Sequence, residues 1–149
     1  MAIKEMVTMI KFRGIPLEDV SDIDGVDFDG TFVCGNYVKY GDGALIVGDV
    51  LEANGEAFWP SWWASVVPKT VEQFTGLKDV NGKDIYVGDI LKTKAGLIQI
   101  VDQGILAIDR EDIISGFYAN NLSDGKPHTF SYDDEVIGNV HENPELLKG

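Results

Sequence analysis

Most of the residues here that could do chemistry are carboxylates. Asp22, Asp24, Asp27 and Asp29 fall within one short stretch that also holds Gly25 and Gly30. Hard cations such as Ca²⁺ favour several carboxylate oxygens on a flexible loop, so residues 22–30 are the first to weigh as a metal site. The stretch does not follow the EF-hand pattern. Counted from Asp22, Asp27 stands where Gly is needed and Val33 where the bidentate Glu is needed. A solvated acidic loop over residues 18–30 accounts for it better, and no metal or other cofactor is expected.

Nucleophilic chemistry has little to work with. Cys34 is the only cysteine, so the chain can form no internal disulfide and no thiolate-rich zinc site. His128 and His141 are the only imidazoles, and no spacing sets either beside Cys34, which reads as strand packing. Asp133, Asp134 and Glu135 adjoin one another, as some of 25 acidic residues must, and read as a solvated turn. No glycine-rich phosphate cradle is present. No catalytic residue is assigned, and the chain is not expected to be an enzyme.

The tryptophans point to binding. Trp59, Trp62 and Trp63 are all the tryptophans of the chain and lie within five residues. In an extended segment Trp62 and Trp63 project to opposite sides, so one core cannot take both. The other is left for solvent or a partner, and tryptophan is favoured at the energetic centre of protein contacts. Trp59, Trp62 and Trp63 are therefore the candidate protein-interaction residues.

Charge narrows the partners. The chain of 149 residues carries a net charge of −13, spread along its length. Without a basic stripe it lacks the phosphate attraction behind non-specific nucleic-acid binding, and it is not drawn to an anionic membrane. Lys78, Lys83, Lys92 and Lys94 form the only local basic group, interleaved with Asp79, Asp84 and Asp89. The first residues include Glu5 and no uninterrupted apolar core, so they do not read as a secretory signal, and no apolar run reaches membrane-spanning length. With a single cysteine, this suggests a reducing cytoplasm.

The elements that must position these residues read as short strands. β-rich runs occupy residues 7–13, 31–40 and 44–51, the last two joined by Gly41-Asp42-Gly43, and residues 52–56 read as a turn. Further strands are expected at 70–75, 85–86, 90–93, 97–101, 105–109, 128–132 and 136–140. Asn81-Gly82 marks a hairpin, Asp102-Gln103-Gly104 a second turn, and Asn143 a cap for one helical turn at 144–147. Gly76, Gly82 and Gly88 recur at six-residue intervals and read as positive-φ positions, with Asp79 and Asp89 accepting from turn amides.

Residues 67–79, 81–86 and 88–91 contain Val67-Pro68-Lys69-Thr70, Gly76-Leu77-Lys78-Asp79, Asn81-Gly82-Lys83-Asp84 and Gly88-Asp89-Ile90-Leu91. Together they resemble the YopX family of phage and prophage proteins. The run Val136-Ile137-Gly138-Asn139-Val140-His141-Glu142-Asn143-Pro144-Glu145-Leu146-Leu147 is similar to its C-terminal signature. Ile10-Lys11-Phe12-Arg13-Gly14 and Phe32-Val33-Cys34-Gly35-Asn36-Tyr37 resemble its opening motif. The acidic loop and the tryptophan cluster are not part of that pattern. The resemblance implies a mainly β fold, phage origin and self-association, and no reaction.

The resulting expectation is a mainly β protein with little helix. A small SH3-like barrel over residues 67–149 packs against an N-terminal β lobe over residues 1–66, the two forming one compact domain in the limit. Its function is expected to be that of a non-enzymatic interaction or regulatory module, acting as a homo-oligomer or on a host or phage protein. The alternatives are a small-barrel nucleic-acid binder and an acidic DNA mimic that inhibits a host enzyme.

Overall fold

In the computed structural model, residues 11–53, 57–107 and 113–148 are described. The first part of the strand expected over residues 7–13, residues 54–56 of the turn expected over 52–56, and the end of the strand expected over 105–109 lie outside them. The chain is mainly β and divides into two compact units, Met1–Phe74 and Thr75–Gly149. Among the described residues, no helix is long and apolar enough to cross a membrane.

The first unit contains β1 (Phe12–Gly14), β2 (Asp27–Asp29), β3 (Phe32–Tyr40), β4 (Gly43–Val47), β5 (Val50–Ala53), β6 (Phe58–Pro60) and β7 (Trp63–Val66). A single 3₁₀ turn, Pro68–Thr70, leads into β8 (Glu72–Lys78), which begins in this unit and ends in the next. The order is β7-β4-β3-β1-β8, with β2 also on β3. Cys34 pairs with Arg13 of β1 and with Asp27 of β2, so these two strands flank β3 on opposite edges. Strand alternation sends Ala44 and Ile46 of β4 inward opposite Val66 and Ala64 of β7. They join Val20, Val33 and Trp62 in the core, with Phe12, Val26 and Val71 packed against it. Each fully buried aliphatic side chain of this kind contributes roughly 1.5–3 kcal/mol.

Two corrections fall here. Residues 18–30 are not loop throughout, because Asp27–Asp29 forms β2 and pairs with β3. Asp29 and Phe32 face each other across Gly30 and Thr31, and Gly30 takes φ 62, so Asp29-Gly30 is a hairpin signal concealed by the acidity around it. The expected strand over residues 44–51 is divided between β4 and β5. The hairpin at Gly41 is as expected, with Tyr40 opposite Gly43.

The second unit continues with β9 (Asp84–Tyr86), β10 (Asp89–Lys92), β11 (Ile98–Ala107), β12 (Ile113–Asn121), β13 (Pro127–His128) and β14 (Glu135–Asn139), then a 3₁₀ turn at Pro144–Leu147. Its sheet runs β13-β12-β11-β10-β14. Ile85, Leu91 and Val101 form a core with Phe130 and Val136. Among the described residues this order is open, so the SH3-like closure is not found. Edge strand β13 has two residues, and Pro127 has no N–H with which to extend a ladder. Asp102, Gln103 and Gly104 do not turn the chain. They lie inside β11 opposite Tyr118, Phe117 and Gly116 of β12, a strand absent from the expectation. Asn143 does not cap the final turn with its side chain; its Oδ1 accepts the Asn139 N–H at 3.2 Å.

Candidate functional site

The three tryptophans are divided by the hairpin that carries them. Ser61 N–H donates to the Asp49 carbonyl at 2.7 Å and Gly48 N–H to the Trp62 carbonyl at 2.9 Å, which continues the pairing between β4–β5 and β6–β7. Trp62 is buried at 5% exposure, while Trp59 and Trp63 are 53% and 59% exposed. The opposed directions expected for Trp62 and Trp63 are therefore found, and Trp62 belongs to the core. Trp59 and Trp63 are four residues apart, no more than about 14 Å along an extended chain. Leu51 on the neighbouring strand is exposed as well.

Gly48 sets the depth of Trp62. A Cβ at Gly48 would run into the Trp62 indole nitrogen and meet the Ser61 hydroxyl, so only glycine lets the ring seat there. Beside the ring opens a cleft of about 310 Å³, lined by Lys11, Asp27, Asn36, Asp49, Ser61 and Trp62, with Cys34, Gly25, Gly35, Val47 and Gly48 completing the wall. Its volume is at the lower end for small-ligand pockets, and its polar groups are two carboxylates, one ammonium, an amide and a hydroxyl. Asp27 and Asp49 are exposed. The Lys11 ammonium stands 4.7 Å from the centroid of the Phe74 ring.

Next to this cleft lies a buried ionic cluster that sequence reading missed. Arg13 is 2% exposed and donates from Nε and Nη2 to one oxygen of Glu72, at 3.1 and 3.0 Å. Its Nη1 reaches Asp29 at 3.4 Å, and the guanidinium lies 4.2 Å from the centroid of the Phe32 ring. The sheet register produces this cluster, with Arg13 opposite Glu72 on one side and Cys34 on the other. The only signal in the sequence is one arginine inside an apolar strand, and its partner cannot be named without the register.

The remaining candidates hold backbone in place. Asp79 accepts N–H bonds from Asn81 and Lys83 at 2.8 Å on one oxygen and from Val136 at 2.9 Å on the other. Asp89 accepts from Tyr86 N–H at 2.8 Å. Gly76, Gly82 and Gly88 take φ of 86, 81 and 91°, the left-handed conformation expected of them. Asp134 accepts the Ser131 N–H at 2.9 Å, and Asp133 takes the Ser131 hydroxyl. His141 N–H donates to Asn139 Oδ1, and His128 pairs with Asp124 on the surface at 2.9 Å. The carboxyl of Asp124 is held below its ordinary range, chiefly by the Lys126 N–H and then by His128. Asp29 serves the arginine, and Asp19 receives the Ser21 N–H, which lowers its pKa. Among the described residues, no three His, Cys, Asp or Glu side chains converge to hold a metal ion.

Three of the four lysines of the nucleic-acid alternative lie near carboxylates. Lys78 Nζ lies 2.6 Å from Asp84, and Lys92 is directly across the ladder from Glu135. Lys94 lines an open cleft with Lys92, Asp133 and Glu135.

No curated protein matches the chain. A family model described as YopX protein matches residues 49–148. This stretch takes in the glycine-punctuated motifs of the second unit, the C-terminal signature and the three tryptophans, and begins after the opening motif. On that match over most of its length, the chain belongs to the YopX family.

Proposed function

We propose that the chain is a non-enzymatic interaction or regulatory module of phage or prophage origin, acting in the host cytoplasm through protein contacts and as a homo-oligomer. The observation behind this reading is the exposure of Trp59 and Trp63 on a hairpin whose third tryptophan is buried. An indole held half in water on a paired strand adds less packing to its own fold than a buried one and offers a partner a large, rigid apolar surface. Family membership fits the phage origin, and self-association is what the resemblance to that family implies. The acidic DNA-mimic alternative rests on net charge alone, and the lysine pairs above weaken the nucleic-acid one.

The test is mass measurement in solution together with affinity capture from host lysate, for the wild type and for Trp59→Ala and Trp63→Ala. The reading expects an assembly or a captured partner that is diminished in at least one variant. An unchanged monomer that captures nothing specific in all three proteins would refute it.

A further inference from the structure

We infer that the strip of residues 59–63 receives a basic segment of another protein, an arginine- or lysine-bearing stretch that lies across Trp59 and Trp63 and directs its cationic heads to Asp49 and Asp27. This deepens the interaction reading and rests on it. Between Lys39 and Lys69 the sequence holds no lysine or arginine, but it does hold Asp42, Asp49, Glu52 and Glu56. The stretch carrying the exposed indoles thus has carboxylates and no basic residue. Asp49 is tied through its carbonyl to Ser61, which lies between the two tryptophans.

Asp49 and Ser61 also line the 310 Å³ cleft, where Asp27 adds a second exposed carboxylate against the single ammonium of Lys11. The strip and the cleft therefore meet at Asp49, with a negative balance. Indole faces are the strongest aromatic acceptors for guanidinium and ammonium groups, and adjacent carboxylates add directional hydrogen bonds. An acidic partner is repelled at such a surface. A second copy of this chain, docked symmetrically here, would bring two acidic surfaces together, so of the two contacts in that reading this strip suits a basic partner better than a second copy.

The experiment uses the full chain and three acetylated, amidated probes: tetra-arginine, tetra-glutamate and tetraglycine. Binding is followed by tryptophan fluorescence at two salt concentrations. Tetra-arginine is expected to bind more tightly than either other probe. Loss of one indole contact or one carboxylate weakens binding by about tenfold, so Trp63→Ala and Asp49→Asn should each show that loss. Asp124→Asn, in the other unit, should stay within about twofold, the size of a general charge effect.

Equal weakening by Asp124→Asn reduces the binding to net charge and overturns the inference, as does tetra-arginine binding that ignores Trp63→Ala and Asp49→Asn. Loss of the homo-oligomer in Trp63→Ala assigns the strip to a second copy. That outcome overturns the basic-partner inference and supports the interaction reading, whereas an unchanged monomer with no partner defeats the interaction reading itself.

Discussion

Arg13 and Glu72, 59 residues apart in sequence, meet through two hydrogen bonds to a single carboxylate oxygen in the interior of the first unit. Both side chains are buried, at 2% and 7% exposure. A pair so far from water gains from its mutual attraction roughly what it loses in hydration, so its presence adds little net stability. Removing one member is different, because the other charge is then stranded. Arg13→Met should destabilise the first unit by about 3–5 kcal/mol in urea unfolding, and Arg13→Met combined with Glu72→Leu should cost distinctly less. A double variant as unstable as the single one would show that the guanidinium is held by Phe32 and Asp29 more than by Glu72.

Trp62 and its neighbours should separate in stability. Trp62→Ala removes a buried ring and leaves a cavity beside Gly48, for an expected loss of about 3–5 kcal/mol. Trp59→Ala and Trp63→Ala act at exposed positions and should stay within about 0.5 kcal/mol of the wild type. Equilibrium urea unfolding of the three variants checks the order, and a large loss in Trp63→Ala would mean that it packs within its own chain.

Asp79 organises the turn between β8 and β9 and reaches β14. Asp79→Ala leaves three backbone N–H groups without their acceptor, which should cost about 2–3 kcal/mol. Asp79→Asn retains one oxygen and should cost less. Amide hydrogen exchange at Asn81, Lys83 and Val136 reads the effect directly, and all three should exchange faster in the alanine variant.

Tyr118 gives a pH dependence at the alkaline end. Partial burial, and then the Asp102 carboxylate opposite it on β11, raise its pKa above the ordinary 10.0. The folded chain thus keeps the phenolic proton where the unfolded chain has lost it. The contribution of this group is intact below 10.0 and declines as pH rises through the folded value. Ultraviolet titration should show a late phenolic component that Tyr118→Phe removes and that Asp102→Asn only partly restores toward normal, because burial remains.

How much could be read in advance depended on the range of each interaction. Asn81-Gly82, Gly41-Asp42 and the Asp79 turn were legible because positive φ and Asx hydrogen bonds involve residues a few places apart. The same local chemistry misled at Asp102-Gln103-Gly104, which has turn composition but lies in a ladder because Gly116, Phe117 and Tyr118 stand opposite it. It was also overlooked at Asp29-Gly30, where many nearby carboxylates suggested a solvated loop. The tryptophans were half legible: strand alternation required Trp62 and Trp63 to diverge without saying which enters the core.

By itself, then, the sequence determined a mainly β chain of the YopX family, acidic throughout and turned at defined glycines. Those properties follow from composition, local backbone sterics and ordered motifs. Only the tertiary structure decided that Trp62 is the buried ring, that Arg13 meets Glu72, and that Asp49 lies between an apolar strip and a polar cleft. Each depends on the register between strands far apart in sequence, where a shift of one residue would send every side chain to the opposite face.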